Sequence, residues 1–167
     1  GQLKRPSDSQ LPEKIAFIQC VGSRDPVFAK PYCSRVCCMY ALRSAKMIKN
    51  RFPEVEISVF YMDFQTFGKD FVPFYRRIQE DVRMIRAIPG DIFETPEGQL
   101  RVFYVSNETH ETIEEVFDCV VLSVGLQIPE QVKQLSKMAG VKLTSNSFVA
   151  TSDFSPASTS KKGIFTC

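Results

Sequence analysis

The sequence predicts an α/β fold, with helices packed on a parallel sheet and a separate antiparallel β-meander. Between residues 14 and 87, short apolar runs alternate with segments of helix-forming residues, as in strands joined by helical crossovers. Between residues 91 and 117, short strand-like runs follow one another across brief polar turns, as in an antiparallel meander. A near-continuous apolar run over residues 117–124 then predicts a return to the centre of the parallel sheet.

The first strand and helix are predicted from local patterns. Residues 14–19 form an apolar run too short for a helix, which predicts a buried strand. Turn-forming residues follow at positions 20–26. Residues 34–50 are helix formers with apolar residues at helical spacing and basic residues at the end, and Pro53 stops the helix.

The remaining elements follow in chain order. Strands are predicted at residues 55–61, 82–87, 91–94, 100–106 and 112–117, with helices at 71–80 and near 130–138. Residues 144–160 are rich in Ser and Thr, and the apolar run 163–167 stops inside a predicted strand. Because a natural domain rarely ends on an unfinished strand, we expect a segment of a longer protein. A native edge strand is the alternative.

Composition and charge argue against several classes of protein. The 167 residues carry 21 Lys and Arg against 19 Asp and Glu, a net charge of +2. A nucleic-acid-binding domain usually shows a basic excess, so we expect no nucleic acid partner. No apolar run approaches the roughly 18 residues of a membrane span. The polar start also lacks the apolar core of a signal peptide.

Four of the six cysteines lie close together in the sequence: Cys20, Cys33, Cys37 and Cys38. Four thiolates are the usual ligands of a cubane iron–sulfur cluster. Cys20 ends the first predicted strand, and the other three begin the first predicted helix. The N–H groups and partial positive charge of a helix start favour thiolates and an anionic cluster.

Other interpretations of the cysteines stay open. Zinc sites usually use two short Cys-x(2–4)-Cys knuckles, whereas twelve residues separate Cys20 from Cys33. Two disulfides fit poorly without a secretion signal, and buried inert thiols would simply pack as small apolar groups. Cys119 lies in an apolar strand and is expected to be core packing, while Cys167 is unassigned.

The turn after the first strand argues against ordinary dinucleotide binding. Gly22 is its one glycine, where a phosphate-binding Gly-x-Gly-x-x-Gly turn needs three. Asp63 follows the second strand, where an acid could hold a ribose hydroxyl. Without the phosphate turn we interpret it as a solvated strand end. The sequence therefore predicts a Rossmann-like, pyridine-nucleotide-binding-type domain in which cysteines replace the phosphate site.

These residues resemble the A subunit of heterodisulfide reductase. The resemblance is carried by residues 14–25 (KIAFIQCVGSRD) and 31–42 (PYCSRVCCMYAL), and by residues 60–63, 66–69, 120–126 and 163–165. It implies a cytoplasmic flavoprotein of anaerobes with a thioredoxin-reductase-like core that binds FAD. Such proteins carry several iron–sulfur clusters and pass electrons among partner subunits, in some members by flavin-based electron bifurcation.

The resemblance also implies roles for particular residues. Cys20, Cys33, Cys37 and Cys38 would ligate one [4Fe–4S] cluster near the flavin, and Arg43 would lie in the flavin vicinity. Relatives often have Lys at the position of Arg43. A guanidinium is always charged and does not serve as a proton donor at ordinary pH, which argues against proton shuttling there.

The same resemblance implies a domain organisation. Residues 1–13 would be a connector, residues 14–127 a degenerate NAD(P)-binding-like domain, and residues 128–167 part of an FAD domain. The expected function is an electron-transfer fragment, inactive alone, whose [4Fe–4S] cluster relays electrons to or from FAD of the full-length protein. Its partners would be the rest of its own polypeptide and other redox subunits. The alternative is a structural or docking module whose four-cysteine site holds zinc or is empty.

Overall fold

The computed structural model describes residues 2–28, 30–66 and 68–166. They group into two compact units. The first unit runs to Arg24 and resumes from Cys33 to Gly125, and the second contains the intervening loop and the stretch from Leu126 onward. None of the described helices is both long enough and apolar enough to cross a bilayer.

The first unit contains nine regular elements within the described residues. In chain order they are β1 (Lys14–Val21), α1 (Cys37–Arg51), β2 (Glu56–Phe60), α2 (Phe71–Asp81), β3 (Arg83–Ile85), β4 (Asp91–Glu94), β5 (Leu100–Val105), β6 (Thr112–Phe117) and β7 (Cys119–Val124). A parallel sheet has the order β3-β2-β1-β7, and an antiparallel sheet has the order β4-β5-β6. The predicted α/β class, with a parallel sheet and an antiparallel meander, is confirmed.

β7 lies at the edge of the parallel sheet, so the prediction that residues 117–124 return to its centre is wrong. The strand pairs with β1 alone among the described residues, with Cys119 opposite Ile15. Leu122 and Val124 are 52% and 55% exposed. An apolar run indicates that a strand packs on something, but it carries no information about the strand's position across the sheet.

One face of the parallel sheet is covered by α1 and α2. Ile15 and Phe17 of β1 pack there with Leu42 and Ala45 of α1 and with Ile78 of α2. The buried residues of α1 recur at the three- and four-residue spacing that places side chains on one helix face. This packing holds the start of α1 against the carboxyl end of β1.

The opposite face of the sheet is covered by the meander. Ala16 and Ile18 of β1 pack with Phe60, Tyr104 and Phe117. The rings of Phe60 and Tyr104 meet edge to face, with centroids 5.0 Å apart and planes at 72°. Together with α1 and α2, the meander completes a three-layered unit around the strand that leads to the cysteines.

Helix α1 begins three residues later than predicted. The sequence predicts a start at Ser34, but the first helical residue is Cys37 and Val36 is the N-cap. Arg35 has a φ of 60°, a left-handed conformation that a helix does not accommodate. The basic end is as predicted, with Lys49 and Arg51 in the last turn.

The second unit contains α3 (Glu130–Ala139) followed by turns and isolated bridges. Within it, the ring of Tyr32 meets the ring of Phe148 edge to face at 5.0 Å. The predicted final strand does not form within the described residues, where Phe165 makes a single bridge to Ser158. That segment's backbone turns at Gly163, whose φ is 84°. Cys167 lies outside the described residues.

Candidate functional site

The cysteines gather at the carboxyl end of β1. This strand has β2 on one side and β7 on the other, and the chain leaves β1 through α1 toward β2. Such a reversal of strand order opens a crevice beyond the carboxyl ends of the strands, where α/β proteins bind their ligands. Cys20 lies next to the last residue of this strand, at the mouth of that crevice.

A bulge turns Cys20 toward α1. The pairing of β1 with β7 shifts between Ile18 and Val21, and Cys20 has a φ of 63°. Ile18 and Val21 both lie on the meander side of the sheet, so the extra residue reverses the alternation between them. Without the bulge, Cys20 would share the side of Ala16 and Ile18. With it, Cys20 contacts Cys37 at the start of α1.

Three of the thiols form a hydrogen-bonded chain. The thiols of Cys20 and Cys38 donate to the sulfur of Cys37, and these bonds lower the pKa of Cys37 well below the ordinary thiol range. Backbone N–H groups of Cys20 and Cys38 contribute in the same direction. The same hydrogen bonds, with burial, raise the pKa values of Cys20 and Cys38. The arrangement therefore stabilises a thiolate on Cys37.

Cys37 and Cys38 are the first two residues of α1, and both are almost fully buried. No side chain caps this end of the helix, and its first turn contains no acidic residue. The helix start therefore presents backbone N–H groups and a partial positive charge to the sulfurs.

Cys33 is less buried and precedes the helix by four residues. Its sulfur accepts a hydrogen bond of 3.4 Å from the backbone N–H of Arg35. It lies near enough to Cys38 for its charge to affect that thiol.

A pair of serines ties the two cysteine-bearing loops together. The hydroxyls of Ser23 and Ser34 are 3.0 Å apart, and the backbone N–H of Ser34 donates to the Ser23 hydroxyl at 3.0 Å. Gly125, at the end of β7, lies directly against both serines. A Cβ at this position would stand 2.5 Å from Ser34 Oγ and 2.8 Å from Ser23 Cβ. The absence of a side chain at Gly125 thus permits the close approach that fixes Cys33 relative to Cys20.

A charged pair borders the thiols on the β2 side. Arg24 Nη1 donates to Asp63 Oδ1 at 2.6 Å, and the same guanidinium hydrogen-bonds Cys20. The backbone N–H of Gln65 donates to the sulfur of Cys38. Asp63 is partly exposed, as its interpretation as a solvated strand end predicts, but its carboxylate also pairs with the cation beside Cys20. Its position after β2, parallel to β1, is the sequence signal that could have indicated this contact.

The chemistry of these residues fits a metal–sulfur group. Four thiols supply the number and type of donor that an iron–sulfur cluster needs, and Arg24 and the start of α1 supply positive charge. Within residues 2–28, 30–66 and 68–166, no three Cys, His, Asp or Glu side chains are arranged as a ready metal site. The thiols instead form a chain, with Cys33 at the rim, so ligation requires their side chains to turn toward a common centre.

The other residues singled out by the sequence lie apart from this group. Arg43 is exposed on α1, more than one turn beyond Cys38, and takes no part in the hydrogen bonds among the thiols. Cys119 is half-buried at the start of β7 and packs against the core on the helix side of the sheet.

Three curated relatives are similar to this chain over most of its length. The A subunit of the H(2):CoB-CoM heterodisulfide,ferredoxin reductase of Methanothermobacter thermautotrophicus is 40% identical over 169 residues, covering 99% of this chain and 26% of the relative. The second iron-sulfur A subunit of the CoB--CoM heterodisulfide reductase of Methanopyrus kandleri is 38% identical over 170 residues, with the same two shares. The iron-sulfur A subunit of the CoB--CoM heterodisulfide reductase of Methanocaldococcus jannaschii is 43% identical over 151 residues, covering 89% and 23%. The chain spans about a quarter of the length of these relatives. No family model matches it.

Solved structures of thioredoxin reductases share the fold. The enzyme of Lactococcus lactis superposes with a TM-score of 0.55 at 19% identity, over 91% of this chain and 42% of that one. The enzyme of T. acidophilum gives a TM-score of 0.50 at 18% identity, with the same two shares. At these identities the likeness concerns the fold alone, and it confirms the predicted Rossmann-like class.

Proposed function

Since this chain is homologous to one segment of the heterodisulfide reductase A subunit, as its cysteine motif predicted, we propose that it is an electron-transfer segment. Cys20, Cys33, Cys37 and Cys38 hold one [4Fe–4S] cluster. The observation that carries the proposal is the convergence of these thiols at the switch point of a parallel sheet, where the fold otherwise binds a nucleotide phosphate. Two of the relatives are themselves named iron–sulfur subunits.

The four thiols themselves form the ligand set for this anionic cluster. The pKa of Cys37 is lowered, so this residue would supply a thiolate ligand. Cys20 and Cys38, whose thiols donate to the Cys37 sulfur, would supply two more on losing their protons. Cys33 would supply the fourth thiolate from the less buried loop.

The chain's own residues also control access and charge. Cys20, Cys37 and Cys38 are buried, which excludes water from three of the four sulfurs. The N–H groups of Cys20, Cys38, Arg35 and Gln65 donate to sulfurs and so stabilise added negative charge. The bound cluster supplies one-electron transfer.

We also propose a role for a flavin bound elsewhere in the full-length protein. In a longer polypeptide of this family, FAD would exchange electrons with the cluster, and other redox subunits would supply or remove them. Arg43 is proposed to face the flavin, where its fixed positive charge would stabilise an anionic cofactor without donating a proton. Residues 128–167 are proposed to form part of the FAD domain.

Reconstitution with iron and sulfide tests the ligand assignment. The chain is incubated anaerobically with ferrous iron, sulfide and thiol, desalted, and assayed for iron, sulfide and zinc. We expect about four irons per chain in the wild type. Single substitutions of Cys20, Cys33, Cys37 and Cys38 by Ser should each lower that content.

Cys119→Ser is the matched control for these variants. This residue is a free thiol of the same unit, half-buried but away from the site. It should retain the wild-type iron content. Zinc without iron in the purified chain, or equal iron content in all five variants, would refute the assignment and favour a structural module.

A further inference from the structure

Arg24 occupies an unusual position beside the thiols. It follows the bulged end of β1, and its backbone has a φ of 59°, in the left-handed region. A non-glycine residue rarely adopts this conformation unless surrounding contacts hold it there. The side chain of Arg24 makes hydrogen bonds to Cys20 and to Asp63.

Asp63 holds the guanidinium in place. Its Oδ1 atom accepts from Arg24 at 2.6 Å and from Gln65 Nε2 at 3.3 Å. These donors lower the pKa of Asp63, so the carboxylate is charged at neutral pH. Asp63 and Gln65 belong to one loop, and that loop also places the Gln65 N–H on Cys38. The loop after β2 therefore contacts one thiol directly, through Gln65, and supports the cation beside another, through Asp63.

The Arg24–Asp63 pair contributes little to folding stability. Its side chains are 28% and 41% exposed, and ion pairs at such positions are weakly stabilising because water screens them. A charge beside a redox centre, however, changes the energy of the electron added to that centre. The two charges are only a few ångströms apart in partly buried protein, where the Coulomb energy between them is several times its value in water.

We propose that Arg24 raises the reduction potential of the cluster held by the four cysteines, and that Asp63 positions its guanidinium beside Cys20. The inference rests on the proposed function. Reduction adds one negative charge to the cluster, and a neighbouring cation stabilises that charge. The carboxylate of Asp63 partly offsets the effect while fixing its geometry, so the pair sets an intermediate potential.

The protein offers a matched control pair. Lys46 Nζ and Asp81 Oδ2 are also 2.6 Å apart, and their side chains are 31% and 40% exposed. This pair joins α1 to α2, two turns or more beyond the cysteines. Lys46→Gln removes the same charge from an equivalent pair at a distance from the thiols.

The test is an EPR-monitored redox titration of reconstituted wild type, R24Q, R24K, D63N and K46Q. R24Q should shift the midpoint potential to more negative values. The expected shift is about 59 mV, which for a one-electron couple is a tenfold change in the reduction equilibrium. R24K, which keeps the charge, should shift it less. D63N should shift it to more positive values, because an Asn Oδ1 still accepts from Arg24 but carries no charge. K46Q should match the wild type.

The outcomes separate this inference from the proposed function. If clusters assemble in R24Q, D63N and K46Q and their potentials are equal, the role of Arg24 is overturned and the proposed cluster site is not. If R24Q assembles no cluster, the midpoint potential of D63N is compared with that of the wild type. A more positive potential supports the inference, and an unchanged potential overturns it. A wild type that assembles no cluster would overturn the proposed function and the inference with it.

Discussion

Substituting Gly125 by Ala should disrupt the contact that ties the two cysteine-bearing loops together. The new Cβ would stand 2.5 Å from Ser34 Oγ and 2.8 Å from Ser23 Cβ. The first atom can move by rotation of the Ser34 side chain, but this breaks its 3.0 Å contact with Ser23. The second is anchored next to the Ser23 backbone, so β7 or the loop must shift.

The expected loss follows from this geometry. Overpacking of this kind costs about 1–3 kcal/mol, and loss of the serine hydrogen bond adds about 0.5–1.5 kcal/mol. We therefore expect G125A to lower the free energy of unfolding by about 2–4 kcal/mol, measured by urea denaturation. The double variant G125A/S34A should recover part of the loss, because the atom at 2.5 Å is gone while Ser23 Cβ remains.

Gly90→Ala is the matched control. A Cβ there meets nothing within 4 Å. Its unfolding free energy should stay within about 1 kcal/mol of wild type. G125A should also bind less iron than G90A, because Ser23 and Ser34 position the loops of Cys20 and Cys33. A G125A protein as stable as G90A, with equal iron content, would show that Gly125 does not hold the two serine loops together.

Two further predictions concern the core of the first unit. Asp118 is largely buried, and burial raises the pKa of its carboxyl. Hydrogen bonds from Gln99 and from the backbone of Lys14 and Glu13 outweigh burial and hold this pKa below its ordinary value. The unfolded chain therefore takes up the proton at a higher pH than the folded chain, so this stabilisation is complete above the unfolded pKa and is lost as the pH falls through the folded pKa. The free energy of unfolding, measured by urea denaturation from about pH 6 to about pH 3, should therefore fall less in D118N than in the wild type. Identical pH profiles for the two proteins would contradict the lowered pKa of Asp118. Ile78 is the fully buried residue of α2. Ile78→Ala should therefore lower the free energy of unfolding by about 2–5 kcal/mol and Ile78→Val by about 0.5–1.5 kcal/mol. An equal loss in both variants would show that Ile78 is not packed as described.

The order and type of most elements could be predicted because each rests on a local pattern. The apolar run at residues 14–19 and the helical spacing after Cys37 both record burial of one face. The brief links of the meander likewise reveal antiparallel neighbours. The edge position of β7 was missed, because Leu122 and its neighbours are apolar whether or not another strand pairs beside them.

The details of the site depended on contacts between distant residues. Nothing in the residues around Cys20 indicates the bulge that turns its side chain toward α1. The left-handed Arg35 delays the helix, although Arg is itself a good helix former. The pairing of Arg24 with Asp63 joins residues 39 positions apart. The four thiols were nevertheless identifiable from their number and spacing, because ligand chemistry is a property of the residue type.

Reversible reduction of the reconstituted chain shows whether the four cysteines hold a redox-active cluster. The anaerobic protein is titrated with a low-potential reductant and reoxidised, while EPR follows the paramagnetic state of the cluster. We expect a signal that appears on reduction, disappears on reoxidation and integrates to one cluster per chain. It should be lost in Cys37→Ser but not in Cys119→Ser. Iron that shows no reversible signal, or a signal retained in Cys37→Ser, would contradict it.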